Sequence, residues 1–259
     1  MGVSPDQTFD YYGTEEDQAD RHPMPEDTEK FLESLCEDPT SARERLLHVA
    51  GMMFAARGID AVSTREITKA AGANLSAIAY YFGGKEGLYN EAIDYTIAGT
   101  QKLIGGAEDT LRADLDAAAS DRDALASAAA AFVRAVLTAL LGLGPEHWPR
   151  RLIMREIDTP TAAFDRLYQA IFQPLIDAFK QVVVIATDRD PDNPETTILT
   201  NALLGECLIF HRNRPIILRD LGWDEYTPDR IALVVDIVVE GILDALNLPA
   251  VKGEISRAE

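Results

Sequence analysis

The stretch STREITKAAGANLSAIAYYFGGKEGL, residues 63–88, gathers side chains suited to contact with a polyanion. Asn74, Leu75, Ser76, Ala77 and Tyr80 fall at the exposed N-terminal end of a second short helix, where small, amide and hydroxyl side chains approach base edges closely. Thr64, Arg65, Tyr81 and Lys85 flank them and suit phosphate contacts. The helix that Lys85 opens adds a favourable dipole for an anion.

A second group of residues suits a small molecule rather than a phosphate backbone. Phe164, Tyr168 and Phe172 recur at four-residue spacing and form one aromatic stripe, with Trp148, Met154 and Arg155 ahead of it. Cys207 and His211 are four apart on one predicted helix. Such a stripe is ordinary core material, but ligand pockets are carved from cores of this kind. Catalytic chemistry finds little support. His22, His48, His147 and His211 are scattered, and no Asp, Glu, His or Cys cluster has metal-ligand spacing. The glycines of LGLGPEHW lack the strand–helix context of a phosphate-binding loop. No cofactor, metal site or enzymatic reaction is expected.

These residues need helices to hold them, and the sequence supplies only helices. Ser41 with Glu44 reads as a capping box opening a helix whose Leu46, Leu47, Ala50, Met53 and Phe54 repeat every three to four residues, with Gly58 as its stop. Thr64 is expected to cap a short helix ended by Gly72, and LSAIAYYF to form the next. Ile67, Ala71, Ile78 and Tyr81 are expected to face inward where the two cross. Further helices are expected near 85–104, 108–119, 121–142, 146–158, 161–187, 194–212 and 228–246. The breakers between them are GGAED, GLGP, DTP, DRDPDNP and RPIILRDLGWDEYTP. Pro174 should kink the 161–187 helix. The β-branched run QVVVIA would be a strand without a partner, so it is assigned to helix. The fold class is all-α: a three-helix DNA-binding domain over 40–92, then a helical bundle over 93–259.

Charge divides the chain. Its net −19 is spread as −10 over residues 1–40, zero over 41–95 and −9 beyond. Residues 1–39 read as an acidic, largely disordered tail. The neutral segment is the one bearing the candidate interface, and binding answers to the local field within about 10 Å rather than to the total. Two distant cysteines, Cys36 and Cys207, argue against a disulfide framework and fit a reducing cytoplasm. No uninterrupted apolar run approaches the length of a membrane span, so no membrane partner is expected. The stretches 194–212 and 228–246 carry long apolar faces: Leu199, Leu203, Leu204 and Ile209 on one, Ile231, Val234, Val235, Val238, Ile242 and Leu246 on the other. They are assigned to a four-helix homodimer interface.

Two short helices around a glycine turn also occur in domains that never meet DNA, so spacing alone leaves a ligand-binding or protein-interaction module open. Residues 45–93 add a resemblance. Ala50, Phe54, Gly58, Thr64, Ala71, Gly72, Tyr81, Phe82, Lys85, Glu86 and Leu88 resemble the pattern of the DNA-binding domain of TetR/AcrR-family repressors, with Ala79 where the family has Tyr. The later segments RLIMREIDTPTAAFDRLYQAIFQPLIDAFKQVV and LGECLIFHRNRPIILRDLG resemble the C-terminal domain of its CecR-like branch. The resemblance implies a homodimeric regulator, bound to a double-stranded operator and released by a small-molecule effector.

Overall fold

The computed structural model describes residues 41–118, 121–144 and 147–251; the expected acidic tail, with His22 and Cys36, lies outside them. Helix α1 (Ala42–Arg57) opens as the sequence indicates. Ser41 Oγ accepts the Glu44 N–H at 3.1 Å, and Glu44 Oε2 accepts the Ser41 N–H at 2.9 Å. The helix closes on Gly58 at φ 81°, a conformation an L side chain resists. Helix α2 (Thr64–Ala70) differs in its cap. Ser63, not Thr64, takes the extended cap backbone, because Glu66 stands three residues after Ser63 and completes a second capping box. Thr64 is thereby the first helical residue. Helix α3 (Ser76–Phe82) ends on Gly83 in the left-handed region.

Helix α4 (Lys85–Ala118) runs for 34 residues, straight through GGAED and through the expected 92/93 domain boundary. Two glycines weaken a helix by about 1 kcal/mol each. Here Ile104 ahead of them and Leu111 and Leu115 behind them are all buried on one helix, and that packing outweighs the propensity loss. Then follow α5 (Arg122–Gly142), α6 (Trp148–Asp158) and α7 (Phe164–Leu167). A π turn over Tyr168–Phe172 leads into α8 (Gln173–Thr187). Pro174 has no N–H to give the Ala170 carbonyl four residues back, and Gln101 Nε2 donates to that oxygen instead at 3.2 Å. QVVVIA is helical within α8. After α9 (Pro194–Arg212) comes α10 (Arg214–Leu221), a helix inside the stretch expected to be a connection. None of its residues is fully buried and Leu218 packs only partly against the core, so apolar periodicity had little inward face to report. The last helix is α11 (Pro228–Ala245). Among the described residues there is no strand.

Two apolar clusters organise the helices. One joins α1–α3 and the first two turns of α4 to Trp148 and Leu152 of α6, Ala163, Leu167 of α7 and Ile171. The other joins the far end of α4 to α5, α8, α9 and α11. Two stretches, Arg122–Gly142 and Phe164–Thr187, are apolar and long enough to cross a membrane, which the search for uninterrupted runs did not anticipate. In the fold α5 lies in the larger cluster with most of its surface buried, and its Arg134 pairs with Asp236 of α11.

Of the residues assigned to a dimer interface, Leu203, Leu204, Val234, Val235, Val238, Ile242 and Leu246 are buried in the chain's own core. A single subunit already uses that face. What remains exposed on α9 and α11 is Ile209 of the assigned set, together with Ile198, Leu233 and Ile237.

Candidate nucleic-acid interface and ligand cleft

Helices α2 and α3 cross over Ile67, Ala71 and Ile78, all buried as expected. Tyr81 does not join them; it is 41% exposed, and Phe82 and Ala77 pack partly inward instead. Gly72 turns the chain at φ 60°, and the Ala73 N–H reaching the Thr68 carbonyl at 2.9 Å closes the turn. The outward face then carries Arg65, Asn74, Leu75 (50% exposed), Ser76, Tyr80 (82% exposed) and Tyr81. Tyr80 and Tyr81 meet edge to face at 4.9 Å. Thr64 is half-buried at the start of α2. Lys85 is anchored: its Nζ donates to the Ile59 carbonyl at 3.0 Å, tying α4 to the loop before α2 and leaving two donors for an anion. Glu66 of α2 is taken up by the cap and by Arg57 at 2.9 Å. Bonds from the Ser63 backbone and hydroxyl, then from Arg57, hold its carboxyl down to about 2.

Helix α6 docks on α1 at two points seven residues apart on each helix. Trp148 covers Gly51 and Arg155 covers Gly58, so closely that a Cβ at either glycine would lie 2.5–2.6 Å from the covering side chain. The indole stacks on Tyr95 at 5.3 Å and donates its Nε1–H to His48 Nδ1 at 3.2 Å. Arg155 donates to the Arg57 carbonyl at 3.0 Å and the Ala56 carbonyl at 3.4 Å, at the negative end of the α1 dipole. The adjacent Glu156 is fully buried, and its carboxylate accepts from the Tyr89 hydroxyl of α4 and from the Thr161 N–H and hydroxyl. Burial first, and the Glu156 carboxylate second, raise the Tyr89 hydroxyl above its ordinary value.

The candidate small-molecule residues separate into distinct places. Met154, Arg155 and His211 come together in a cleft of about 600 Å³ between α6 and the end of α9, with Ala55, Arg150, Arg151, Asp158, Thr159, Arg212 and Asn213. Arg212 spans it to Asp158 at 2.8 Å. His211 Nδ1 lies 3.1 Å from the Leu140 carbonyl and 3.3 Å from Arg150 Nη1, and serves one of them at a time. Burial and the charge of Arg150 push this imidazole down to about 4, so it is neutral at pH 7. Phe164 and Phe172 stack at 6.4 Å on the α7–π-turn segment, with Tyr168 42% exposed beside them, away from the cleft lining. Trp148 belongs to the α1 contact. Cys207 is fully buried, and burial pushes its thiol up to about 12, so it is a packing group. The sequence reading missed Arg150, Arg151 and Arg212, whose only prior signal was an excess of arginine on two separate helices. A further cleft of about 360 Å³ lies between α4 and α8, lined by Glu108, Arg112, Gln173 and Asp177 among others. Among the described residues no metal-holding cluster is present.

Comparison with known proteins gives two family matches. The family "Bacterial regulatory proteins, tetR family" matches residues 46–92, and "HTH-type transcriptional dual regulator CecR, C-terminal domain" matches residues 127–246. The HTH-type transcriptional dual regulator CecR of Shigella flexneri is 27% identical over 214 residues, covering 78% of this chain and 92% of the relative. Among solved structures, AibR in complex with isovaleryl coenzyme A and operator DNA aligns at 13% identity and a TM-score of 0.52, over 78% of this chain and 97% of its own. Mycobacterium smegmatis AmtR aligns at 16% identity and a TM-score of 0.52, over 83% and 91%. At such identities these structures share a fold.

Proposed function

The chain belongs to the TetR family of bacterial regulatory proteins, with a CecR-type C-terminal domain, and is a DNA-binding transcriptional regulator; from that premise we propose a homodimeric cytoplasmic repressor released by a small-molecule effector. The observation that carries the DNA-binding part is the outward face of α3, where Tyr80 is 82% exposed and Leu75 is 50% exposed. An isolated domain gains nothing from holding those large hydrophobic side chains in water, whereas a groove-entering helix needs them there. Asn74, Leu75, Ser76, Ala77 and Tyr80 read bases; Thr64, Arg65, Tyr81 and Lys85 hold phosphates.

Two such helices must be spaced to meet successive major grooves. The stripe of Ile198, Ile209, Leu233 and Ile237 supports pairing through α9 and α11 of two copies. The small residues Ala202, Gly205 and Gly241, all exposed, let the partner helices approach closely. Effector binding favours a dimer geometry whose helix spacing no longer fits the operator, a population shift set by the effector's differential affinity. The two-point docking of α6 on α1 is the mechanical link for that shift. No covalent step is involved.

The test is a gel shift with DNA from upstream of the protein's own gene, over a salt series. Arg65→Ala should flatten the slope of log K against log salt by about 0.9. Tyr80→Ala should weaken the cognate site more than unrelated DNA. Failure of the intact chain to prefer any upstream segment over unrelated DNA refutes the operator assignment.

A further inference from the structure

We infer that the cleft between α6 and α9 is an anion site, and that the effector is a small molecule carrying two or more negative charges, a phosphate ester or a polycarboxylate. This rests on the effector-responsive reading above. In a chain of net charge −19, the cleft lining holds four guanidiniums, Arg150, Arg151, Arg155 and Arg212, against one carboxylate, Asp158. Asp158 is committed to Arg212. Arg151 is exposed, and its side chain makes no hydrogen bond or ion pair among the described residues. The remaining lining is short on apolar surface: Ala55 and Met154 supply most of it. At about 600 Å³ the cleft is of small-molecule size. Guanidiniums present forked donors that match carboxylate and phosphate oxygens two at a time. One exposed arginine holds an anion weakly, so retention demands a ligand whose charges engage several at once.

Arg155 makes the site regulatory. Its guanidinium lines the cleft while donating to the Ala56 and Arg57 carbonyls that end α1. A bound anion offers full negative charge where those carbonyls offer partial charge. It draws Arg155 off α1 and loosens one of the two points at which α6 holds the DNA-binding helices.

Calorimetric titration of the intact, DNA-free protein at low ionic strength tests this, with inorganic pyrophosphate in one arm and tricarballylate in the other. Saturable binding is expected. Arg151→Gln, which disturbs no existing contact, should weaken it about tenfold, and Arg219→Gln, outside the cleft, should leave it unchanged. The arm that binds more tightly assigns phosphate or carboxylate. No saturable heat from either probe, or equal weakening by Arg151→Gln and Arg219→Gln, overturns the site. A probe that binds yet leaves operator affinity unaltered overturns its role as the effector subsite. Reduced operator affinity and a shallower salt slope in Arg151→Gln without any probe would mean that the cleft holds DNA phosphate, and would also overturn it. Because the titration contains no DNA, its outcome is independent of whether an operator is found.

Discussion

Placing alanine at Gly51 and at Gly106 changes the same atoms in two helices and should move stability in opposite directions. At either position a helix gains up to about 1 kcal/mol from the lost backbone freedom of the unfolded chain. At Gly106 the new Cβ meets nothing within 4 Å, so the gain stands. At Gly51 it would lie 2.5 Å from Cε3 and Cζ3 of Trp148, where ordinary contact requires about 3.5–4 Å. The indole cannot swing aside, being stacked on Tyr95 and bonded through Nε1 to His48. One helix must therefore move by about 1 Å, and overpacking of this kind costs about 1–3 kcal/mol. Both variants share the propensity term, so the gap between them isolates the packing term: Gly106→Ala should exceed Gly51→Ala by about 1–3 kcal/mol. Urea unfolding at one fixed protein concentration measures it, since a dimer's midpoint depends on concentration. A Gly51→Ala protein as stable as Gly106→Ala would refute the close approach of α6 to α1. A destabilised Gly106→Ala would refute the unbroken α4.

Tyr89→Phe removes a donor from the buried Glu156 carboxylate and should cost about 1.5–3 kcal/mol in the same assay; no change would mean the carboxylate does not depend on it. On the exposed stripe, Ile237→Asp should give a folded monomer by sedimentation, whereas Val235→Asp buries an unpaired charge within the subunit and should unfold it. A dimeric Ile237→Asp protein would move the interface elsewhere. The Glu66 carboxyl is held below its ordinary value in the folded state, so its contribution is complete above about pH 4.5 and is lost as pH falls towards 2. Glu66→Gln should remove that part of the acid sensitivity, read from thermal melts across the window.

What the sequence made legible follows from how each signal arises. The crossing of α2 and α3 was readable because Ile67, Ala71 and Ile78 carry their burial in local spacing, and glycine marks the turn between them. The cap of α2 was placed one residue late because Ser63 and Thr64 are both good caps, and only the position of Glu66 separates them. The long α4 was hidden because glycine propensity is local while the packing of Ile104, Leu111 and Leu115 is not. The aromatic stripe was correctly seen as one face, but the cleft was not, since Arg150, Arg151 and Arg212 meet only through tertiary structure. The inward and outward faces of α11 were confused because a helix apolar around most of its circumference gives periodicity nothing to resolve.

The π turn over Tyr168–Phe172 has a consequence for insertion and deletion. In an unbroken α-helix residues eight apart differ by about 80° in heading, and residues seven apart by only about 20°. One residue absorbed in the wider turn leaves Phe164 and Phe172 with the second relation, which is why their rings stack. The chain thus holds one residue more than a plain helix of the same phase requires. Removing the exposed Gln169 would convert the turn to ordinary α geometry while α7 and α8 keep their present headings. The same deletion within α8 would rotate every following side chain by a full residue step. A scan of single-residue deletions along 164–187 should therefore find its tolerated positions confined to that one turn.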